Sequence, residues 1–213
     1  MSSYRLVIFD LDGTLTQEQN VFTRLIGGFD IDIKTFDKEW REGRLSDHAW
    51  GIQIMRALAD KGATCNEIRE VLEEIPHIEG IGETVQALRK QGIRSVILTA
   101  GIDDLAGMMI MKYGFDKAIA NQTFYGPKGN LLPNYRCRVP LFGKAESAEK
   151  YIWSWYGITP AETVMVGDAF VDTPVMLKAG KSIGINPKDV CVTEVAEHIL
   201  HTNDLRDILP YIV

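Results

Sequence analysis

Three short, unbroken apolar runs recur along the chain, and each one ends in a polar residue. They lie at residues 6–9, 96–98 and 164–166, and no polar position alternates into any of them. Such runs are typical of strands buried on both faces, as in a parallel sheet covered by helices. From residue 80 onwards they alternate with helical patterns that end at glycines. This alternation predicts an α/β fold with a doubly wound parallel sheet.

Residues 16–76 interrupt this alternation, because they contain no convincing strand pattern. Their apolar positions recur at helical spacing, and Ser46 and Thr64 precede two of the patterns as expected N-caps. The sequence therefore predicts a small α-helical domain at 16–76, inserted into an α/β core domain formed by 1–15 and 77–213. A β-hairpin is expected at 121–137, because two strand-like segments there flank a Gly-Pro-Lys-Gly turn.

The amino-acid composition limits which binding partners and which cellular compartment we expect. The chain has 213 residues, 46% of them apolar and 24% charged, with a net charge of −6 and no Lys/Arg run. This balance argues against a nucleic-acid or membrane-surface partner. The three cysteines are scattered and odd in number, which favours reduced thiols in a cytoplasmic protein.

Two carboxylates follow the first apolar run, in the stretch Asp10-Leu11-Asp12-Gly13-Thr14. In extended backbone, positions two apart point to the same side, so Asp10 and Asp12 can address one site. Carboxylates that close repel each other and titrate apart unless a cation lies between them. One can then stay ionised as nucleophile and metal ligand while the other carries a proton. Taken alone, the stretch is equally compatible with a plain turn.

Polar residues follow all three apolar runs, namely Asp10, Thr99 and Asp168. In an open α/β sheet, ligands bind in the crevice outside the carboxyl ends of the strands. We therefore expect these three side chains to converge on one pocket. Each also has a structural alternative, since Thr99 could cap the next helix and Asp168 could form a turn.

As a set, these residues resemble the four motifs of the haloacid dehalogenase-like hydrolase superfamily. The motifs fall, in order, on residues 10–14, Thr99, Lys144 and residues 167–172. The helical segment at 16–76 is similar to the type 1 cap of that superfamily. The hairpin before Lys144 is similar to one in its phosphoserine-phosphatase-like branch.

The resemblance implies a phosphoryl-transfer mechanism and a role for each motif residue. Asp10 is expected to attack phosphorus, and Asp12 to act as general acid and then general base. Mg²⁺ is expected on the carboxylates of Asp10 and Asp168 and the backbone carbonyl of Asp12. The implied phosphate-binding groups are Thr99, Ala100, Gly101 and Lys144, and the implied supporting residues are Gly13, Thr14 and Asp172. The second aspartate, Asp12, favours phosphate chemistry over carbon–halogen cleavage.

Residues 42–46 resemble the corresponding cap segment of phosphoserine phosphatases, and this match sets the alignment of the two sequences. In this alignment, the cap differs from those enzymes at the positions that bind the substrate. The substrate-binding glutamate of those enzymes falls on Gln19, with Glu18 one place away, and their arginine for the serine carboxylate falls near Ile54. Val171 also replaces the usual asparagine of the fourth motif. These departures argue against L-phosphoserine as the substrate. The cap residues that remain as candidates for contacting another small anionic or polar substrate are Trp40, Arg41 and Arg44, with solvated surface as the alternative.

The sequence thus predicts a cytoplasmic, Mg²⁺-dependent phosphatase that hydrolyses a small-molecule phosphomonoester through an aspartyl-phosphate on Asp10. The alternatives are a phosphotransferase or phosphomutase of the same fold, a phosphoserine phosphatase specifically, and a non-catalytic binding protein. The expected partner is a small phosphorylated metabolite. Both a monomer and a homodimer remain open.

Overall fold

A seven-stranded sheet forms the centre of the computed structural model, which describes residues 4–213. The strands are β1 (Leu6–Phe9), β2 (Arg94–Ile102), β3 (Lys117–Tyr125), β4 (Leu131–Arg136), β5 (Thr163–Gly167), β6 (Lys181–Ile185) and β7 (His198–Leu200). Their order is β4-β3-β2-β1-β5-β6-β7, and every neighbouring pair is parallel except the β3–β4 hairpin. The predicted α/β class and the predicted hairpin are confirmed. The edge strand β7 is an element that the sequence pattern did not reveal.

The central strand β1 explains why its sequence contains no polar position. Val7 and Phe9 belong to the hydrophobic cluster on one face of the sheet, whereas Leu6 and Ile8 belong to the cluster on the other. All four side chains are fully buried. Because Phe9 is in register with Ile97 of β2 and with a valine of β5, the three strands end at the same edge of the sheet.

Helices flank the sheet throughout the second part of the chain. The α-helices are α5 (Ile81–Lys90), α6 (Asp103–Tyr113), α7 (Lys144–Ala148), α8 (Ser154–Tyr156), α9 (Thr173–Met176) and α10 (Val190–Val195), with a π-helical turn (Glu149–Trp153) that joins α7 to α8. A 3₁₀ helix, Leu205–Tyr211, lies near the end of the chain. Within residues 4–213, every helix is too short or too polar to cross a bilayer.

The segment between β1 and α5 is helical, as predicted. It contains α1 (Val21–Gly28), α2 (Lys34–Arg41), α3 (Asp47–Asp60) and α4 (Cys65–Glu73). The hydroxyl oxygens of Ser46 and Thr64 accept hydrogen bonds from backbone N–H groups at the starts of α3 and α4, as N-caps do. Residues of these helices share one hydrophobic cluster with Phe9 of β1. The division at residues 16–76 into a separate cap domain therefore stays a proposal.

A glycine inside α3 lets the hairpin approach the inserted helices. A Cβ atom built on Gly51 would lie 2.2 Å from the Cε1 atom of Tyr135, which belongs to β4 and is buried. Glycine destabilises the interior of a helix, so a glycine at this position needs an explanation. The explanation is the packing of β4 against α3. Gly51 allows the Tyr135 ring to lie directly against the helix backbone.

We expect Gly51→Ala to destabilise the protein by up to about 2 kcal/mol. Moving the Tyr135 ring out of a filled space costs about 1–3 kcal/mol, and the gain in helix propensity offsets about 1 kcal/mol of this loss. Gly107→Ala in α6 is the matched control, because nothing lies within 4 Å of the Cβ atom it would add. Urea unfolding should show Gly107→Ala unchanged or more stable. Equal stability of the two variants would contradict this account of Gly51.

Candidate active site

A cavity of about 220 Å³ opens at the edge of the sheet where β1, β2 and β5 end. Asp10, Asp12, Thr99 and Lys144 all line it. Asp168 lies next to it, with a carboxylate oxygen within 4.8 Å of oxygens of Asp10 and Asp172. The structure thus brings together the strand-end residues that the sequence predicted to converge.

Lys144 connects two of the aspartates at the bottom of the cavity. Its ammonium nitrogen Nζ lies 2.6 Å from Oδ1 of Asp10 and 2.6 Å from Oδ1 of Asp172. All three side chains are buried. The contact with Asp172 is the one expected if Asp172 orients Lys144.

Asp172 also shapes the turn that follows β5. Its second oxygen, Oδ2, accepts hydrogen bonds from the backbone N–H groups of Asp168 and Ala169, each at 3.1 Å. A Cβ atom on Gly167 would lie 2.4 Å from that oxygen, so only glycine fits there. One carboxylate therefore holds both the lysine and the loop that carries Asp168.

Burial and neighbouring charges raise the pKa values of the first two aspartates. The pKa of Asp10 is well above its usual value because the carboxyl is desolvated and Asp172 repels it, an effect that Lys144 opposes. Desolvation raises the pKa of Asp12 to about 6. The Oδ2 atom of Asp12 accepts the backbone N–H of Val21 at 3.2 Å, whereas Oδ1 is buried without a hydrogen-bond partner. Asp12 therefore suits proton donation close to neutral pH.

Both carboxylate oxygens of Asp168 have a side-chain partner. The hydroxyl of Thr14 donates to Oδ1 at 2.9 Å, and the ammonium of Lys188 lies 2.7 Å from Oδ2. Gly13 has a φ of 84°, and a Cβ atom on it would lie 2.3 Å from the Lys188 nitrogen and 2.5 Å from an Asp168 oxygen. These contacts explain why glycine and threonine follow Asp12. Lys188 belongs to no motif that the sequence analysis singled out.

The donor atoms of this cluster fit a hard divalent cation. Carboxylate oxygens are the ligands that Mg²⁺ prefers, and the oxygens of Asp10 and Asp168 lie close enough to share one ion. With Asp12 protonated for its role as acid, the remaining carboxylates (Asp10, Asp168 and Asp172) outnumber the ammonium groups (Lys144 and Lys188) by one, so the cluster keeps a negative charge that favours a bound cation. Both oxygens of Asp172 already have partners, and so do both oxygens of Asp168, where a metal ion would have to replace the Lys188 ammonium. The choice of Asp10 and Asp168 as the carboxylate ligands therefore rests on the resemblance of the motifs.

The C-terminal end of β2 forms the other side of the site. The backbone N–H of Gly101 donates to the hydroxyl of Thr99 at 2.9 Å, and both residues line the cavity together with Ala100. The amide of Asn121 donates to the carbonyl of Ala100 at 2.6 Å and accepts the backbone N–H of Val139 at 2.8 Å. Asn121, which the sequence analysis did not single out, thus ties the end of β2 to the segment before Lys144.

The cap candidates separate into two groups. Gln19 and Trp40 line the cavity. Glu18 instead lines a shallow groove beside α1 and α4. The expectation that Arg41 and Arg44 contact the substrate is not supported, because both side chains are exposed, lie outside the cavity and form ion pairs with Asp37 and Glu42 respectively.

Several cavity residues were not predicted from the sequence. The insert contributes Asn20, Phe22, Asp47 and Trp50, and the hairpin and the loop after it contribute Tyr135, Val139 and Leu141. Ile54, which takes the place of an expected arginine, is fully buried in the core and does not line the cavity.

Comparison with known proteins agrees with this geometry. The family described as "haloacid dehalogenase-like hydrolase" matches residues 7–177. The chain belongs to the haloacid dehalogenase-like hydrolases. Its resemblance to their phosphoserine-phosphatase-like branch is also confirmed.

The relatives of this hydrolase include curated phosphoserine phosphatases. One from Halobacterium salinarum is 29% identical, with 96% of this chain and 94% of the relative covered. One from Archaeoglobus fulgidus is 24% identical, and the matched region spans 94% of this chain but 58% of that relative. A solved structure described as "Phospho-Aspartyl Intermediate Analogue of Phosphoserine phosphatase" superposes with a TM-score of 0.78 at 27% identity, and 99% of each chain is covered.

We expect Lys188→Met to strengthen Mg²⁺ binding by the metal-free hydrolase about tenfold, because it removes a positive charge from beside Asp168. Calorimetric titration with Mg²⁺ in the absence of substrate measures this change. Lys178→Met is the control, because Lys178 is exposed. Weaker Mg²⁺ binding by Lys188→Met would contradict the prediction and would mean that Lys188 mainly orients Asp168.

Proposed function

We propose that the chain is a Mg²⁺-dependent phosphatase that hydrolyses a small organic phosphomonoester through an aspartyl-phosphate on Asp10. The observation that carries the proposal is the buried contact of 2.6 Å between Asp10 and Lys144, in a cavity that Asp12 and Thr99 also line. A carboxylate nucleophile, a raised-pKa acid and a buried cation in one pocket are the parts that phosphoryl transfer requires. The related structure named for a phospho-aspartyl intermediate analogue supports the same chemistry.

Each of these residues has a defined task in the proposed reaction. A carboxylate oxygen of Asp10 forms a bond to phosphorus while the bond from phosphorus to the ester oxygen breaks. Asp12 gives its proton to the departing alcohol oxygen, and it then removes a proton from the water that hydrolyses the aspartyl-phosphate. Lys144 and Thr99 stabilise charge on the phosphoryl oxygens. Mg²⁺, held by Asp10, Asp168 and the carbonyl of Asp12, would supply further neutralisation of that charge.

We also propose that the substrate is a small metabolite and that the protein is located in the cytoplasm. The cavity volume of about 220 Å³ supports a small ester, and the three cysteines are free, which suits a reducing compartment. Phosphoserine is named for the relatives, but Gln19 and Ile54 do not supply the charged side chains expected for a serine substrate.

The test is hydrolysis of acetyl phosphate and 4-nitrophenyl phosphate with Mg²⁺ and with excess chelator. We expect phosphate release that requires Mg²⁺, and no release from 4-nitrophenyl sulfate, which is the control for non-specific hydrolysis. Fluoroberyllate, a mimic of a phosphoryl group on Asp10, should raise the melting temperature with Mg²⁺ present and not in chelator. Absence of turnover across a panel of metabolites, or binding of fluoroberyllate without metal, would favour a binding protein instead.

A further inference from the structure

Aromatic rings form one side of the cavity above Asp10. Phe22, Trp40 and Trp50 come from the inserted helices, and Tyr135 comes from β4. The ring centroids of Phe22 and Trp50 lie 4.9 Å apart, those of Trp40 and Trp50 lie 5.3 Å apart, and those of Phe22 and Tyr135 lie 6.4 Å apart. These contacts fix the four rings as one surface, which we call the aromatic wall.

The indole N–H groups of Trp40 and Trp50 already have hydrogen-bond partners. The Nε1–H group of Trp40 donates to Oδ1 of Asp47 at 2.7 Å, and that of Trp50 donates to Oδ1 of Asp37 at 3.3 Å. The other oxygen of Asp47 accepts the backbone N–H of Leu141 at 2.7 Å. The aromatic wall therefore offers a bound molecule ring surface, with its indole donors already used.

The charge along the cavity also limits what can bind. Among the residues that line it, the cation is Lys144, which is bound to Asp10 and Asp172 at the bottom. The carboxylate of Asp47 lines the cavity beside Trp40 of the aromatic wall. A carboxylate on the leaving group would lie in this part of the cavity without a cation to pair with. Such burial is unfavourable.

The cavity has room for one ring beside a phosphoryl group. An apolar cavity of about 150 Å³ suffices for benzene, and this one measures about 220 Å³. Apolar lining also continues to the opening, through Leu141 and Phe170. At the surface, the ring of Phe142 lies 5.7 Å from that of Phe170 and is 74% exposed.

Resting on the phosphatase function proposed above, we infer that the preferred leaving group is an alcohol that carries one aromatic ring and no carboxylate. Its ring contacts the aromatic wall while its phosphoryl group faces Asp10. Hydrolysis breaks the bond between phosphorus and the ester oxygen, and the alcohol leaves with the proton from Asp12. This class differs from the phosphorylated amino acid for which the relatives are named.

The substrate test compares phosphomonoesters that differ by one feature each, with Mg²⁺ present. Benzyl phosphate carries the ring, 4-carboxybenzyl phosphate adds a carboxylate, and phosphoserine and phosphocholine lack the ring. We expect kcat/KM for benzyl phosphate to exceed that for each of the other three by about 30-fold or more. A value for phosphoserine, phosphocholine or the carboxylated ester equal to or above that for benzyl phosphate would overturn the inference.

Variants of the cavity residues test which side chains produce the preference for benzyl phosphate. Trp40→Leu should raise KM for benzyl phosphate about tenfold relative to KM for acetyl phosphate, which carries no ring. Trp155→Leu, at a side chain that is 73% exposed, is the matched control and should leave that ratio unchanged. Asp47→Asn should reduce the preference for benzyl phosphate over its carboxylated form at least threefold. Unchanged ratios in both Trp40→Leu and Asp47→Asn would overturn the inference.

A binding experiment distinguishes failure of this inference from failure of the proposed function. Benzylphosphonate and 4-carboxybenzylphosphonate cannot release an alcohol, and their binding is followed by tryptophan fluorescence. Tighter binding of benzylphosphonate than of its carboxylated form, without turnover of any ester, would remove the phosphatase proposal but support exclusion of a carboxylate from the cavity. Turnover of simple esters with equal binding of the two ligands would remove the inference alone.

Discussion

Replacement of Asp10 by asparagine should lower phosphomonoester hydrolysis by about four powers of ten or more, because the amide oxygen cannot serve as the nucleophile. The fold should remain intact. Asp10 is a buried carboxylate whose pKa is raised by desolvation, and asparagine places no charge in that position. Lys144 keeps its second carboxylate partner, Asp172, at 2.6 Å. Initial rates with and without Mg²⁺, together with urea unfolding, measure the two effects.

Asp60→Asn controls for the same chemical change at an exposed position at the end of α3, and its rate should match that of the wild type. Acid quenching during turnover adds an independent readout, since labelled phosphate should stay on the wild-type protein and not on Asp10→Asn. Hydrolysis by Asp10→Asn within tenfold of the wild-type rate would remove Asp10 as nucleophile.

Much of the fold could be predicted from the sequence because buried parallel strands leave a local signal. Both faces of β1 are covered, so its four positions are all apolar, and the same holds for the run inside β2. The edge strand β7 left no such signal. It is three residues long and half-buried, and its pairing with β6 depends on the assembled sheet.

The site was predictable where its residues follow strands, and less so where tertiary packing brings them in. Lys188 contacts Asp168 from the loop after β6. Because β6 pairs in parallel with β5, that loop lies at the same edge as the site, so the apolar residues Ile183 and Ile185 just before it were a usable signal. The pairing of Arg41 with Asp37 follows the spacing of four residues on one helix, which the sequence also contained.

The aromatic wall could not be predicted from spacing alone. Phe22 and Trp50 fit helical patterns that are equally typical of core residues, and the hairpin supplies Tyr135 from a distant part of the chain. Gly51 is the local sign of this packing, since a glycine inside a helix indicates a close neighbour.

Replacement of Lys144 by methionine should have the second large effect, on stability as well as on activity. Methionine has a similar unbranched side chain without the charge, so Asp10 and Asp172 would lose the cation that lies 2.6 Å from each. Removal of one partner from a buried ion pair destabilises proteins by about 3–5 kcal/mol. Hydrolysis should fall by about 10²–10³-fold, because charge on the phosphoryl oxygens loses a fixed cation.

Urea unfolding of the metal-free protein measures the stability loss, and Lys178→Met, at an exposed lysine, should leave it unchanged. The double variant Lys144→Met/Asp172→Asn should be more stable than Lys144→Met, because it removes one of the two unpaired carboxylates. The coupling between the two positions should amount to about 0.5–3 kcal/mol. Additive effects would mean that Asp172 stabilises the loop through its bonds to the N–H groups of Asp168 and Ala169 and contributes nothing through Lys144.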